Sequence, residues 1–239
     1  MLSKNEAKYI QSLIRKKQRQ AEGVFIAEGV KLVDELLQSD YRIRNIYATG
    51  EWIAMHTGIN ATEVSADELQ RISALPTPNN VLAIAEQKKP ATDPATKQTL
   101  SLVLDCIQDP GNFGTIIRIA DWFGITQIIA SEDTVDLYNP KVIQSTMGSF
   151  TRVQVWYKTL PAFLQEQTIP VYGAVLNGRS IYDTSSVREG LLLIGNEGNG
   201  INPELLPFIT HPITIPKTGS AESLNAAVAT GILVAEMRR

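Results

Sequence analysis

From Leu100 onward the chain alternates short apolar runs with helical patterns, and this alternation restricts the possible folds more than any other feature of the sequence. The run Leu191-Leu192-Leu193-Ile194 contains no alternating polar residues. Such a strand is typical of a parallel sheet that is covered on both faces by helices. The sequence therefore predicts an α/β domain with a parallel sheet over residues 100–239. The expected strands are Ser101–Cys106, Gln127–Ala130, Arg152–Trp156, Val171–Val175, Leu191–Ile194 and Ile213–Ile215. The expected helices are Thr115–Phe123, Pro140–Met147, Leu160–Glu166, Pro203–Pro207 and Glu222–Met237.

Residues 1–87 also mix helix and strand patterns, on a smaller scale. Ser3, with Glu6 three positions later, forms a capping-box pattern and predicts a helix over residues 3–19. Val81–Ala85 is predicted to be the closing strand of this first domain. Between the two domains, residues 88–99 (KKPATDPATKQT) contain two prolines and no apolar period, which is typical of a linker.

The composition excludes several classes of chemistry. The chain has two histidines and one cysteine, Cys106, too few for a zinc site with three or four His or Cys ligands. Only an all-carboxylate metal site stays open, and we expect no metal. A single cysteine cannot form an internal disulfide, which fits a cytoplasmic protein. No apolar run approaches the ~18 residues of a membrane span, and the N-terminal residues lack the apolar core of a signal peptide.

The formal net charge of −3 hides a basic N-terminal segment. One acid, Glu6, lies among the six basic residues of positions 1–19, which are Lys4, Lys8, Arg15, Lys16, Lys17 and Arg19. A basic helix can contact the phosphate backbone of a nucleic acid. A solvated surface without a partner is an equally good interpretation of this segment alone.

Three polar or glycine-rich loops follow predicted strands, where ligands bind in parallel sheets. In the first, Asp109–Asn112 is predicted to be a turn that delivers Asn112 to a helix carrying Arg118. Arg118 has mainly apolar neighbours on that helix, so it either faces a cleft or pairs with Asp121 three residues later. The second loop, residues 195–201 (GNEGNGI), contains Glu197 and matches neither a Walker loop nor a dinucleotide fingerprint.

The third loop leads into the C-terminal helix, which begins with small residues and carries Ser223 and Asn225 near its start. Exposed N–H groups at a helix start can hold a ligand, whereas an Ala-rich core helix is the simpler interpretation. The triplet Lys217-Thr218-Gly219 is also found in penicillin-binding enzymes. That assignment fails because no serine here is followed by lysine at the third position.

Together, the three loops resemble the three motifs of the SpoU (TrmH-type) branch of the SPOUT superfamily, over residues 100–239. These enzymes methylate ribose 2′-hydroxyl groups of RNA with S-adenosylmethionine. The segment Gly23–Gly29 and its helix resemble, less specifically, an L30e-like RNA substrate-binding domain. The resemblance implies a trefoil knot at the C-terminus, although knots are otherwise nearly absent from proteins. It also implies a homodimer through the SPOUT domain.

The same resemblance assigns roles to individual residues. It places Arg118, Asn112, Glu197, Ser223 and Asn225 at catalytic positions. It places Gly195, Ile215 and Leu224 at cofactor-contact positions. Arginine is essentially always protonated, so orientation of the RNA and electrostatic stabilisation are the expected roles of Arg118. Many members carry a second serine where this chain has Ala227, and any role of that serine is absent here.

The expected activity is 2′-O-methylation of RNA, with 23S-type rRNA as the favoured substrate because of the N-terminal domain. Two alternatives are a tRNA 2′-O-methyltransferase and a non-catalytic RNA-binding protein of the same fold. A nucleotide-binding dehydrogenase is rejected because the glycine fingerprint is missing.

Overall fold

The computed structural model describes residues 2–77 and 79–239. The chain divides into two compact units. The first comprises the chain up to Lys88 together with Asp136–Thr151, and the second comprises Lys89–Val135 and Arg152–Arg239. The first unit is thus discontinuous, because it includes a segment that the sequence pattern groups with the C-terminal domain. The division of the chain into a substrate-binding domain and a methyltransferase domain, separated at residues 88–99, stays a prediction.

The first unit is a small α/β structure. Its elements before Lys88 are α1 (Lys4–Ser12), α2 (Lys16–Glu22), β1 (Val24–Glu28), α3 (Val30–Leu37), β2 (Ile43–Ala48), α4 (Gly50–Met55), β3 (Thr62–Glu63), α5 (Ala66–Ile72) and β4 (Val81–Glu86). Among the described residues they form a four-stranded sheet of order β1-β4-β2-β3. β4 is antiparallel to both β1 and β2, and the short β3, which the sequence did not predict, is parallel to β2.

The prediction of a single helix over residues 3–19 is wrong, because the helix is interrupted between α1 and α2. Ser3 and Glu6 form the predicted capping box at the start of α1. At the break, the buried guanidinium of Arg19 donates hydrogen bonds to the carbonyl oxygens of Leu13 and Ile14, at 3.0 and 2.6 Å. Arg19 therefore satisfies the free carbonyls at this helix end, and it is not available to bind a phosphate.

The second unit contains the elements of the predicted parallel domain. They are β5 (Leu100–Leu104), α6 (Pro110–Trp122), β6 (Gln127–Ser131), β7 (Gln154–Lys158), α8 (Leu160–Gln165), β8 (Val171–Ser180), β9 (Gly190–Ile194), β10 (His211–Thr214) and α9 (Ala226–Arg238), with 3-10 turns at Ile181–Asp183 and Pro203–Phe208. Within the described residues, β10-β8-β9-β5-β6-β7 form a six-stranded sheet in which every pair is parallel. The α/β class and the parallel sheet are as predicted, while the knot remains an expectation from the family resemblance.

The strands β5 and β9 lie side by side in the centre of this sheet, and all their residues are buried. The chain runs outward from β5 through β6 to β7 on one side, and β9 with β8 and β10 occupies the other. This point of reversal is where open parallel sheets bind ligands, beyond the carboxyl ends of the strands. The ends of β5 and β9 are Leu104 and Ile194, so Asp105 and Gly195 are the first residues of the two loops.

Two helices begin at positions that differ from the prediction. α6 begins at Pro110 rather than Thr115, because Asp109 caps it and proline is favoured in the first helical turn. α9 begins at Ala226 rather than Glu222, because Asn225 is its N-cap. Ser223 and Asn225 therefore lie before the helix and not inside it.

The segment predicted as a linker is held against the second unit by specific hydrogen bonds. Ala95 exchanges two bonds with the side chain of Gln127, at 2.8 and 2.9 Å. The indole of Trp156 donates to the carbonyl oxygen of Thr92 at 2.8 Å. Most of this segment is therefore bound to the second unit and is not a free linker. None of the helices in residues 2–77 and 79–239 is long and apolar enough to cross a membrane.

Candidate active site

The side chains of Asn112, Glu197 and Asn225 form one hydrogen-bonded chain beyond β5 and β9. The amide nitrogen Nδ2 of Asn112 donates to Oε1 of Glu197 at 2.9 Å. Its oxygen Oδ1 accepts from Nδ2 of Asn225 at 2.8 Å. Because Asn112 is in α6, Glu197 follows β9 and Asn225 precedes α9, the three predicted loops meet at this point.

These residues line an open pocket of about 530 Å³. Its lining residues are Asp109, Asn112, Glu197, Ser223, Leu224 and Asn225. This volume lies within the usual range of small-molecule sites. Leu224 is half exposed and supplies the apolar part of the lining.

Two of the pocket residues are fixed by capping. Asp109 accepts a hydrogen bond from the backbone N–H of Asn112 at 2.8 Å, so the first turn of α6 has a defined start. Asn225 accepts from the N–H groups of Ala227 and Val228 at 3.0 and 3.2 Å. Its side chain thus caps α9 with the oxygen and contacts Asn112 with the nitrogen. Asp109 was not among the predicted site residues, although an aspartate directly before proline is a common helix-start signal.

The glycine loop after β9 is held tightly. A Cβ atom on Gly195 would lie 2.2 Å from the backbone carbonyl carbon of Gly200, so only glycine fits there. Nδ2 of Asn196 donates to the carbonyl oxygen of Cys106 at 2.7 Å, and Asp105 accepts from the N–H of Asn202 at 2.7 Å. The loop that carries Glu197 is therefore attached at both ends to the residues after β5.

Polar side chains that follow β5 and β6 lie at the same edge of the sheet. Burial raises the pKa of the Asp105 carboxyl above its usual range, although the hydrogen bond from Asn202 acts in the opposite direction. Burial, together with a hydrogen bond to Asp133, raises the pKa of the Cys106 thiol to about 11. The hydroxyl of Ser131 donates to Asp133 and lowers the pKa of that carboxyl. In the described part of the chain, no group of His, Cys, Asp and Glu is arranged to hold a metal ion.

Arg118, Gly195 and Ile215 do not line this pocket. Arg118 is exposed on α6, about two turns after Asn112. The alternative pair with Asp121 is also absent, because Asp121 binds Arg152. Ile215 is half buried and follows the last residue of β10. The catalytic and cofactor-contact roles of these residues stay predictions.

Two models of known protein families match this sequence. Residues 99–235 match the SpoU rRNA Methylase family, and residues 4–83 match the MRM3-like substrate binding domain. The chain belongs to the SpoU rRNA methylase family. This membership confirms the resemblance seen in the three loops and in the N-terminal domain.

Relatives of the SpoU family cover almost the whole chain. The 23S rRNA (guanosine(2553)-2′-O)-methyltransferase RlmP of Bacillus subtilis is 33% identical over 230 residues, which span 93% of this chain and 92% of that protein. A solved TrmH-family protein from Porphyromonas gingivalis is 39% identical, with a TM-score of 0.88 over 100% of this chain and 98% of that chain. The AdoMet-bound rRNA methyltransferase of Sinorhizobium meliloti is 31% identical, with a TM-score of 0.88 over 100% and 96% of the two chains.

Proposed function

We propose that this protein methylates a ribose 2′-hydroxyl of RNA with S-adenosylmethionine, and that its substrate is a 23S-type rRNA in the cytoplasm. The observation that carries the proposal is the hydrogen-bonded chain of Asn112, Glu197 and Asn225, which lies where the strand order of the parallel sheet reverses. The chain also belongs to the SpoU family. The RlmP relative, named for 23S rRNA 2′-O-methylation, matches both domains and thus favours rRNA as the substrate.

The pocket suits S-adenosylmethionine in size and chemistry. Leu224 offers an apolar contact for an adenosine ring, and Gly195 is assigned to cofactor contact through the family motif. When bound, this cofactor supplies a methyl group on a positively charged sulfur. Glu197 presents a carboxylate in the pocket, which favours a cationic ligand. Ile215 is assigned to the same binding role through the family motif.

The chain contributes mainly alignment and electrostatics to methyl transfer. Asn112 and Asn225 hold the loops in register, and Ser223 offers a hydroxyl at the pocket wall. Arg118 binds an RNA phosphate and stabilises the negative charge that develops on the 2′-oxygen during methyl transfer. Such positioning can supply roughly 7–11 kcal/mol of the barrier at best. The scarcity of histidine and cysteine is therefore no obstacle to this reaction.

The Arg118→Ala variant tests the activity. We expect methyl transfer to fall at least ~100-fold, as for loss of one strong electrostatic contact. The Kd for S-adenosylmethionine should change little, because Arg118 lies outside the pocket. Single-turnover assays and calorimetry measure the two quantities, and Arg188→Ala, which removes an exposed arginine elsewhere, is the matched control. Full activity of Arg118→Ala would reject the catalytic assignment.

The substrate is tested by mapping 2′-O-methyl groups in cellular RNA with and without the gene. Loss of one site in 23S-type rRNA is the expected result. Loss of a tRNA site would replace rRNA with tRNA as the substrate, and an unchanged map would reject the activity.

We also propose a homodimer through α6 and α9. Trp122 on α6 is 84% exposed and Val228 on α9 is 52% exposed. Large apolar side chains with this exposure are typical of contact surfaces. Light scattering should give twice the mass of one chain, and Trp122→Glu should give the mass of a monomer.

A further inference from the structure

Asp121, near the end of α6, is paired with an arginine from a distant part of the chain. Nε of Arg152 lies 3.1 and 3.0 Å from the two carboxylate oxygens of Asp121, and Nη2 lies 2.9 Å from Oδ2. This is the two-pronged geometry in which arginine binds a carboxylate most specifically. The Asp121 side chain is only 23% exposed, so the pair is partly shielded from solvent.

The same carboxylate is within reach of Arg118. Residues three apart are neighbours on a helix surface, and helical side chains lean toward the N-terminus. Asp121 and Arg118 are therefore neighbours on one face of α6. Even so, the side chain of Arg118 makes no hydrogen bond or ion pair within residues 2–77 and 79–239, and Arg118 is exposed.

We propose that Arg152 is a positioning residue for methyl transfer: by binding Asp121, it keeps Arg118 unpaired and available for an RNA phosphate. This inference rests on the proposed role of Arg118. A carboxylate and a phosphate present similar oxygen pairs to a guanidinium. Without Arg152, the nearby carboxylate competes with the substrate for the same group.

The size of the effect follows from the strength of such pairs. A solvent-exposed ion pair is weak, and breaking it before each phosphate contact lowers the rate by about two- to fivefold. We therefore expect Arg152→Ala to reduce single-turnover methyl transfer by about two- to fivefold at saturating S-adenosylmethionine. The Kd for the cofactor should stay within about twofold of wild type, because neither Asp121 nor Arg152 lines the pocket.

A double-variant cycle separates this role from a purely structural one. Asp121→Ala removes the competing carboxylate, so its rate should stay near that of wild type. The double variant Asp121→Ala, Arg152→Ala should recover the rate that Arg152→Ala loses. Both Arg152→Ala and the double variant lack the ion pair, so a structural role predicts equal loss of activity in the two.

Two further comparisons complete the experiment. Arg188→Ala removes an exposed positive charge without affecting Asp121, and an equal loss of rate in that variant would overturn the inference. Full activity of Arg118→Ala would overturn the role of Arg118 and this inference with it, while the methyltransferase activity itself would stand. An inactive Arg118→Ala combined with an unrescued double variant would overturn this inference alone.

Discussion

Asn112 makes one hydrogen bond to each of the other two pocket loops and uses a different side-chain atom for each. Its nitrogen donates to Glu197, and its oxygen accepts from Asn225. Neither aspartate nor leucine, both similar in size, can make the two contacts, because of these three side chains only the amide of asparagine has both a donor and an acceptor at neutral pH. The family resemblance assigns all three residues to one catalytic site. The direction of each hydrogen bond was not contained in the sequence.

Exchanging donor and acceptor between Asn112 and Glu197 tests this contact. Asn112→Asp places two carboxylates face to face, and the loss of a hydrogen bond to a charged group costs about 1.5–3 kcal/mol. We expect the Kd for S-adenosylmethionine to rise at least ~10-fold. In the double variant with Glu197→Gln, the new amide can donate to the introduced carboxylate, and affinity should recover to within about threefold of wild type. Calorimetry measures both values, and wild-type affinity in Asn112→Asp would contradict the contact.

The rate at which the Cys106 thiol is alkylated should depend on pH in a way that reflects its raised pKa. Its thiol has a pKa of about 11, mainly through burial, whereas a free cysteine has a pKa of about 8.5. Because the thiolate is the reactive form, alkylation by iodoacetamide at pH 8 should be about 100-fold slower than for a free thiol. The rate should keep rising up to about pH 11. A rate that levels off near pH 9 in the folded protein would contradict the raised pKa.

Among the helices, the start of α9 shows how one side chain can serve both stability and the pocket. Asn225 caps the helix with its oxygen and holds Asn112 with its nitrogen. Asn225→Ala loses both contacts, and the missing cap should lower the free energy of unfolding by about 1 kcal/mol. Asn225→Asp keeps the cap oxygens but lacks the donor to Asn112. We therefore expect near wild-type stability in urea denaturation and weaker cofactor binding. Equal destabilisation of Asn225→Ala and Asn225→Asp would show that loss of the cap does not cause the lower stability.

Most elements could be predicted from apolar spacing, but several helix ends could not. Asp109-Pro110-Gly111 has the composition of a turn, yet it forms the capped start of α6. Residues 3–19 have one helical period, yet a long-range partner of Arg19 stabilises a break in the middle. Arg118 and Asp121 have the spacing of a helix pair, yet Arg152 binds the aspartate. In each case a local pattern allowed two structures, and a cap or a distant residue selected one of them.

At the scale of the whole molecule, the segment Asp136–Thr151 belongs to the first unit although its sequence lies inside the matched methylase region. Oδ2 of Asp136 accepts from the buried guanidinium of Arg19 at 2.6 Å. The ring of Tyr138 lies 4.7 Å from that of Phe25 in β1. Apolar spacing predicts that the helix of this segment, α7 (Pro140–Thr146), is buried. Apolar spacing does not indicate whether α7 is buried in the core of the first unit or of the second.

Hydrogen exchange can show whether α7 opens with the first unit or with the strands β6 and β7, which flank it in sequence. Elements that pack together exchange as one cooperative unit, so the amides of α7 should exchange together with those of β1. Asp136→Ala leaves the buried charge of Arg19 without its partner, which costs about 3–5 kcal/mol in comparable pairs. In that variant, protection of α7 and β1 should fall together while β6 and β7 keep theirs.

Asp136→Asn is the matched control, since its side-chain oxygen can still accept from Arg19. It should lose less protection than Asp136→Ala. Exchange of α7 in step with β6 and β7 in all three proteins would place the segment in the second unit. A substrate-binding domain expressed as residues 1–88 alone would then be complete. If α7 instead exchanges with β1, that fragment lacks the partner of Arg19 and the aromatic contact of Phe25, and residues 136–151 are needed for the domain to fold.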